Sequence, residues 1–346
     1  MLSALPFCVM ATVAAVDVTA GPDVGFLPLV SLGPAFASLI GGWRRTAIIG
    51  ALALALCAVL GLYDGLFDSR RGFTAMASVA GVTAAGLAAA AMRQRREAEL
   101  ANIRTIAEVA QRVLLRPAPR RAGSLSIAVS YTSATAEAHI GGDLYEVVRS
   151  PAGVRVLLGD VQGKGLEAVE TAAAVLGAFR EAAHDAPDLA AIGIRLERAV
   201  QREGNGEKFV TAVLAEVGTE HTATLLNFGH PPPLITRPDG SWEFAEPPSY
   251  APPLGLSDQA PDPAEPFDVP LPPGSQLFLY TDGVTEARNN DGHFYPLHER
   301  TALLKADEPD AALDAVRADL LRYTRGPLHD DAAMLLLRYD DLPHAS

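Results

Sequence analysis

The pattern of apolar residues divides the chain into two parts of different character. Four apolar stretches follow one another at the start, at about 1–18, 24–40, 46–63 and 73–92. Each approaches the roughly 17–25 residues that a helix needs to cross a bilayer. We therefore expect residues 1–92 to be an all-α region of about four transmembrane helices. The alternatives are a cleaved signal peptide for the first stretch and a buried helical core for all four.

Arginines in the short connections set the expected orientation. Arg44 and Arg45 lie in the second connection, and three more arginines follow the fourth stretch within 93–96. The positive-inside rule then places both termini in the cytoplasm. The arginine pair at 70–71 counts against this orientation. We expect a multi-pass protein of the cell membrane with its C-terminal domain in the cytoplasm.

Residues 93–122 are predicted to be a helical linker. Within it, one apolar stripe runs along a single helix face, formed by Leu100, Ile103, Ala107, Ala110 and Leu114. Two interpretations remain open. The helix is a connector packed on the following domain, or it is a short parallel coiled coil that joins two copies in a homodimer.

From residue 125 onward the apolar pattern alternates between the periods of strands and helices. Strands are predicted at 125–131, from 154, and at 209–217, 222–228, 276–280 and 332–338. Helices are predicted at 166–184, 188–203 and 311–323, and the proline-dense segment 247–273 is predicted to be an extended loop. Strands joined by short turns and interrupted by helix pairs favour antiparallel sheets flanked by helices, an α+β fold.

Charge and cysteine content exclude several classes of function. The net charge of −13 belongs entirely to residues 93–346, because the acids and bases of residues 1–92 cancel. Such an acidic domain is a poor partner for nucleic acid, whose phosphates require a basic face. The two cysteines lie in apolar stretches and supply no disulfide framework, thiol nucleophile or zinc site.

Carboxylates recur where predicted strands meet turns. Asp143, Asp160, Asp282 and the pair beginning at Asp330 share this setting, and Asp160 opens the turn GDVQGKG at 159–165. Any one of them alone is explained by an aspartate that caps a turn, and GDVQGKG alone by an ordinary strand–turn–helix junction. Together, hard oxygen ligands without His or Cys select Mg²⁺ or Mn²⁺. Such a cluster supports attack of a metal-activated water on a phosphoryl group.

Six blocks in this order carry a resemblance to a known family: GGDLYE, GDVQGKG, NFGHPPPL, PPLGL, LYTDGVTEARN and DDAAMLLLR. They resemble the metal-dependent protein phosphatase 2C superfamily, in particular its bacterial SpoIIE/RsbU-type branch. The resemblance implies a two-sheet antiparallel β-sandwich flanked by helices (α-β-β-α), with the phosphatase domain at 123–340 and a tail at 341–346. It implies a serine/threonine protein phosphatase that uses two Mn²⁺ or Mg²⁺ ions, and the apolar stretches at 1–92 predict that this phosphatase is anchored in the membrane.

The resemblance also carries site residues over to this chain. The implied metal ligands are Asp143, Asp160, Asp282, Asp330 and a backbone oxygen, for which we choose Val161. Supporting roles around the metals fall to Gly142, Glu146, Asn227, His230 and Asp331. For His230 a structural role in its turn competes with proton donation. Lys164 either attracts phosphate or is a solvated turn residue, and no substrate-binding residue is assigned.

The implied partner is a phosphorylated regulatory protein, and the family suggests an anti-sigma-factor antagonist. The main alternative function is a non-catalytic membrane receptor or scaffold with a degenerate phosphatase fold. A diguanylate cyclase, suggested by GGDLYE, requires GG[DE]EF on a hairpin and leaves the other five blocks unexplained.

Overall fold

The computed structural model consists of two compact units, Met1–Asn102 and Ile103–Ser346. It describes residues 4–20, 26–68, 70–132, 142–203, 208–257, 263–306, 308–328 and 330–340. The predicted boundaries of the transmembrane region, linker, phosphatase domain and tail stay predictions.

The first unit is helical, as its apolar composition predicts. Its helices are α1 (Leu5–Ala20), α2 (Leu32–Ile40), α3 (Trp43–Tyr63) and the beginning of α4 (Arg70–Leu114), with short 3₁₀ helices at Leu27–Ser31 and Leu66–Asp68. Close packing uses small residues: a Cβ at Gly50 would lie 2.2 Å from the methyl group of Thr83. Such contacts let two helix backbones approach each other closely.

Two of these helices are long and apolar enough to cross a membrane, by length and composition. They are Trp43–Tyr63 and the part of α4 at Arg70–Ile103, whereas the other apolar helices are shorter. Of the most apolar 18 residues, 39% in the first and 28% in the second are buried. Most of the residues in these two segments are therefore not buried in the structure.

The second unit contains two antiparallel sheets. Their strands are β1 (Arg121–Ala122), β2 (Leu125–Thr132), β3 (Asp143–Ser150), β4 (Gly153–Val161), β5 (Val210–Val217), β6 (Thr222–Phe228), β7 (Leu234–Thr236), β8 (Trp242–Phe244), β9 (Phe267–Pro270), β10 (Gln276–Tyr280) and β11 (Ala332–Tyr339). The first sheet has the order β1-β2-β11-β10-β7-β8 and the second has the order β3-β4-β5-β6-β9.

Helices cover the outer face of each sheet. They are α5 (Leu166–Asp185), α6 (Leu189–Glu203), the four-residue α7 (Asp282–Thr285), a 3₁₀ helix at Leu297–Lys305 and α8 (Pro309–Thr324). Adjacent strand residues point to opposite faces. In β4, Leu158 therefore enters the core between the sheets, and Leu157 packs beneath α5 and α6 with Phe179. In β10, Leu279 faces the other sheet and Phe278 packs beneath α8.

Both faces of the central strands are thus buried, and this explains why their sequences are mostly apolar. The arrangement confirms the predicted α-β-β-α sandwich. Two local predictions were wrong. The proline-dense segment was predicted to be a loop but contains strand β9. Proline is tolerated there because β9 is an edge strand and Pro270 is its last residue. Asp282 does not end a strand but begins α7.

Candidate metal centre

Two strand ends bring Asp143 and Asp160 together. The two residues are directly opposite each other in the β3–β4 ladder, and the N–H of Val161 donates to the carbonyl of Gly142 at 3.1 Å. A Cβ at Gly142 would lie 2.3 Å from the carbonyl oxygen of Val161 and 2.7 Å from Oδ1 of Asp160. Glycine is therefore required at 142, because any side chain would enter the space between these two oxygens.

Asp282 lies just after β10 of the other sheet, at the start of α7. Thr281, the preceding residue, is fully buried. Its hydroxyl donates to Oδ2 of Asp143 at 2.9 Å and accepts the N–H of Ala333 at 2.9 Å. Thr281 therefore connects the two sheets at the site. The sequence analysis missed this residue, although its position directly before Asp282 was a usable signal.

The chain returns to the site at Asp330 and Asp331, directly before β11. A Cβ at Gly283 would lie 1.8 Å from the carbonyl oxygen of Asp331, so α7 passes against this segment. Asp331 is buried, whereas the side chain of Asp330 is 54% exposed and lies 2.8 Å from the ammonium of Lys164. The described residues thus place all four predicted carboxylates in one region, with Lys164 beside them.

The carboxylates perturb one another. Burial, followed by the charge of Asp160, raises the pKa of Asp143 well above its ordinary value, against the hydrogen bond from Thr281. Burial and the charges of Asp282 and Asp330 raise the pKa of Asp160 to about 7. The pKa of Asp282 is raised by burial and by the charges of Glu286 and Asp330. Their ionised forms are therefore costly without compensating positive charge.

Lys164 supplies part of that charge. Partial burial works against its ammonium, but the hydrogen bond and charge of Asp330, with help from Asp331 and Asp160, raise the pKa of Lys164. Lys164 also lowers the pKa of Asp282. The lysine of GDVQGKG is therefore part of the carboxylate cluster, although its side chain is still 35% exposed.

The donor set suits a hard divalent cation, since it consists of carboxylates and nearby backbone oxygens. Within the parts of the chain that the structure describes, no three His, Cys, Asp or Glu side chains form a finished ligand group for one ion. The carboxylates interact electrostatically without converging on one point. Reorientation of side chains such as the half-exposed Asp330 is therefore part of any metal binding here.

His230 lies beneath the site as a structural element. Its Nε2–H donates to the carbonyl of Tyr280 at 3.1 Å, so Nδ1 accepts the hydroxyl of Thr211 at 3.1 Å. The side chain of Asn227 bonds both the N–H and the carbonyl of His230. Burial lowers the pKa of His230 to about 4. A neutral imidazole with both nitrogens engaged fits the structural alternative better than proton donation.

Glu146 is paired away from the other carboxylates. It lies in β3 three residues after Asp143, and its carboxylate accepts a hydrogen bond from the guanidinium of Arg180 in α5. Arg180 also donates to the carbonyl of Leu114 at 2.7 Å, at the end of α4. The side chain that was expected near a metal-bound water is thus occupied by an ion pair, and Arg180 is a second residue that the sequence analysis missed.

Tyr131, at the end of β2, is a third residue that the sequence analysis missed. Its hydroxyl accepts the side-chain amide of Gln111 at 2.9 Å. Burial, followed by the charges of Asp331 and Asp143, raises its pKa. Tyr131 therefore borders the carboxylates as a neutral phenol, and no feature of its sequence neighbourhood indicated this.

Comparisons with known proteins agree with the fold. Residues 150–340 match the model of the family described as Stage II sporulation protein E (SpoIIE). Over 204 residues the chain is 25% identical to the phosphoserine phosphatase RsbU of Bacillus subtilis (strain 168), covering 58% of this chain and 59% of RsbU. The chain thus spans well under two thirds of that relative's length.

Solved structures show the same architecture. The SiaA-PP2C domain of Pseudomonas aeruginosa matches with a TM-score of 0.57 at 20% identity, covering 71% of this chain and 98% of that domain. The RsbU and RsbW domains of a Mycobacterium tuberculosis protein match with a TM-score of 0.55 at 24% identity, covering 63% and 61%. At these identities the likeness establishes the fold alone.

Proposed function

Since the chain belongs to the SpoIIE family, we propose that it is a metal-dependent protein serine/threonine phosphatase. The observation that carries the proposal is the location of Asp143, Asp160, Asp282 and Asp330 in one region of the domain. They come from separate elements at one edge of the sandwich, where burial and the neighbouring carboxylates raise the pKa values of Asp143, Asp160 and Asp282. Carboxylates are brought together in this way where a cation neutralises them.

In this proposal, Asp143, Asp160, Asp282, Asp330 and the carbonyl of Val161 hold two Mn²⁺ or Mg²⁺ ions. Such ions supply Lewis acidity and an activated water for hydrolysis of a phosphate monoester. The chain's own contribution is positioning. Thr281 holds the carboxylate of Asp143 at 2.9 Å, and Gly142 leaves room between the oxygens of Val161 and Asp160. Asp331, Asn227 and His230 support the loops around these groups.

The substrate we propose is phosphoserine or phosphothreonine on a regulatory protein. RsbU carries the name phosphoserine phosphatase, and a solved relative joins an RsbU domain to an RsbW domain in one chain. These names support a phosphorylated signalling protein, such as an anti-sigma-factor antagonist, as the partner.

Membrane anchoring is a further part of the proposal. Large apolar side chains are exposed along the N-terminal helices, among them Ile48, Val59, Leu62 and Phe73 at 63–71%. Lipid is the environment that such a surface fits. We propose four membrane passages, of which α3 and the apolar part of α4 are supported by their length, with both termini in the cytoplasm.

The linker helix supports a homodimer. Of the predicted stripe, Ala110 and Leu114 pack against Val169 of α5. Leu100 and Ile103 of the same stripe are 54% and 44% exposed. With Ile106, Val109 and Val113 they form an apolar row that is 44–73% exposed. The end of the stripe thus fits the connector interpretation, and the exposed row fits the coiled coil. We propose that the exposed row pairs with the same row of a second copy.

The test uses the full-length chain in detergent, with a phosphoserine peptide as substrate. Hydrolysis should require Mn²⁺ or Mg²⁺, and Asp160→Asn and Asp282→Asn should abolish it. Asp291→Asn, an exposed turn aspartate, is the matched control and should retain full activity. Activity that survives chelation, or that survives both substitutions in the site, would refute the proposal. Undetectable metal binding by calorimetry would favour the non-catalytic receptor or scaffold.

A further inference from the structure

Lys164 lies in an unusual backbone setting within GDVQGKG. The glycines on either side of it have positive φ angles, 92° at Gly163 and 90° at Gly165. A Cβ at either glycine would meet no atom within 4 Å. Crowding therefore does not require glycine at these positions, but the left-handed backbone favours it. The two residues fold the turn so that the Lys164 side chain points back to the carboxylates.

The ammonium of Lys164 contacts the carboxylate of Asp330, which is also a proposed metal ligand. Its Nζ lies 2.8 Å from Oδ1 of Asp330, and the same Oδ1 accepts the N–H of Asp331 at 2.9 Å. With two donors, this carboxylate oxygen has both of its lone-pair directions occupied. A divalent ion and an ammonium at the same oxygen would also repel each other strongly.

The ion pair is open to exchange. The side chains of Lys164 and Asp330 are 35% and 54% exposed, and ion pairs this accessible to water contribute little net stability. Asp330 is also the most exposed of the four proposed carboxylate ligands. It is therefore the ligand at which an incoming ion can most readily replace a protein cation.

We propose that Lys164 competes with the metal ion for Asp330 and thereby lowers the affinity of the centre for its metal. This inference rests on the proposed function. Lys164 offsets part of the repulsion among the carboxylates, and an ion must displace it to gain Asp330 as a ligand. Lys164 is thus a residue that tunes metal affinity, distinct from the ligands themselves.

The first experiment measures Mn²⁺ binding to the full-length chain by calorimetry. Lys164→Gln should bind Mn²⁺ about tenfold more tightly than wild type, the order expected when one unit charge is removed beside a divalent ion. Lys164→Arg, which keeps the charge, should stay close to wild type. Lys208→Gln is the matched control, because Lys208 lies near the same turn but pairs with Glu167 at 3.7 Å; its affinity should change less than the affinity of the Lys164→Gln variant.

Unchanged or weaker Mn²⁺ binding in Lys164→Gln, with normal binding in wild type, overturns this inference alone. Absence of Mn²⁺ binding in wild type and in Lys164→Gln alike overturns the proposed metal centre, and the inference with it.

A second measurement uses the fact that Lys164, Lys208 and Lys305 are the lysines of this chain. Acylation of each is followed by mass spectrometry with and without saturating Mn²⁺. Displacement from Asp330 should increase the acylation rate of Lys164 severalfold relative to Lys208 and Lys305. An equal or lower rate for Lys164 in the presence of Mn²⁺ would contradict displacement, whatever the activity of the enzyme.

Discussion

Asp160→Asn should stabilise the protein in the absence of divalent ions while removing its response to them. In the folded chain the pKa of Asp160 is raised to about 7 from an ordinary value of 3.8, by burial and then by the charges of Asp282 and Asp330. A shift of this size corresponds to at most about 4 kcal/mol of unfavourable free energy above pH 7. Asparagine has nearly the same shape as aspartate and carries no charge, so it relieves this cost.

The direction in which stability changes with pH follows from proton binding. An acid whose pKa is higher in the folded than in the unfolded state binds its proton more tightly when folded. The cost of ionising Asp160 is therefore absent below pH 3.8, grows between pH 3.8 and about 7, and is complete above that. This residue makes wild-type stability decrease as the pH rises through that window, and Asp160→Asn should remove its share of the decrease.

The assay is thermal unfolding of both proteins in chelator, at a series of pH values. For a domain of this size, about 2–4 kcal/mol corresponds to a rise in Tm of roughly 5–10 °C at pH 8. The difference should vanish near pH 4. Adding Mn²⁺ should raise the Tm of wild type and leave Asp160→Asn unchanged. A variant that is no more stable than wild type at pH 8, or a difference that does not depend on pH, would refute the reasoning.

Three further substitutions test the frame of the site by chemical unfolding. Gly142→Ala should lower the free energy of unfolding by about 2–4 kcal/mol, because the new Cβ would collide with the backbone of β4. Gly177→Ala in α5 is the control: its Cβ would meet no atom within 4 Å, so the substitution should be neutral or stabilising. As the pH falls from 6.5 to about 4, His230 should lower the free energy of unfolding of wild type by up to about 3 kcal/mol, because in this range the imidazole is protonated in the unfolded chain but not in the folded one. His230→Gln should lose this pH dependence. Arg180→Met should cost about 3 kcal/mol by leaving the buried carboxylate of Glu146 unpaired, and adding Glu146→Gln should restore most of it.

The fold could be predicted from this sequence because its core strands carry a strong apolar signal. Strands such as β4 and β10 are buried on both faces, so their residues are apolar, aromatic or glycine apart from Arg155 and Asp160 in β4 and Gln276 in β10. The weaker elements escaped prediction for physical reasons. Strands β7 and β8 have three residues each, too few for alternation to be visible. Strand β9 lies at a sheet edge, where proline is tolerated and the usual strand composition is not required.

The candidate site, like the fold, could be predicted from the sequence only in part. Carboxylates at strand ends can be recognised along the sequence, and the structure brings Asp143, Asp160, Asp282 and Asp330 into one electrostatic group. Their roles as ligands stay predictions. What joins them is not visible in sequence, because it depends on contacts across large separations: Thr281 bonds Asp143 from 138 residues away.

These long-range contacts also explain why the site depends on both sheets. Asp143 and Asp160 belong to one sheet, while Asp282 and Asp330 follow and precede strands of the other. Thr281 bonds Asp143 and Ala333, and His230 joins Thr211 of β5 to the last residue of β10. A shift of one sheet against the other would therefore separate the carboxylates without altering either sheet. The proposed activity therefore depends on the alignment of the two sheets as well as on each aspartate.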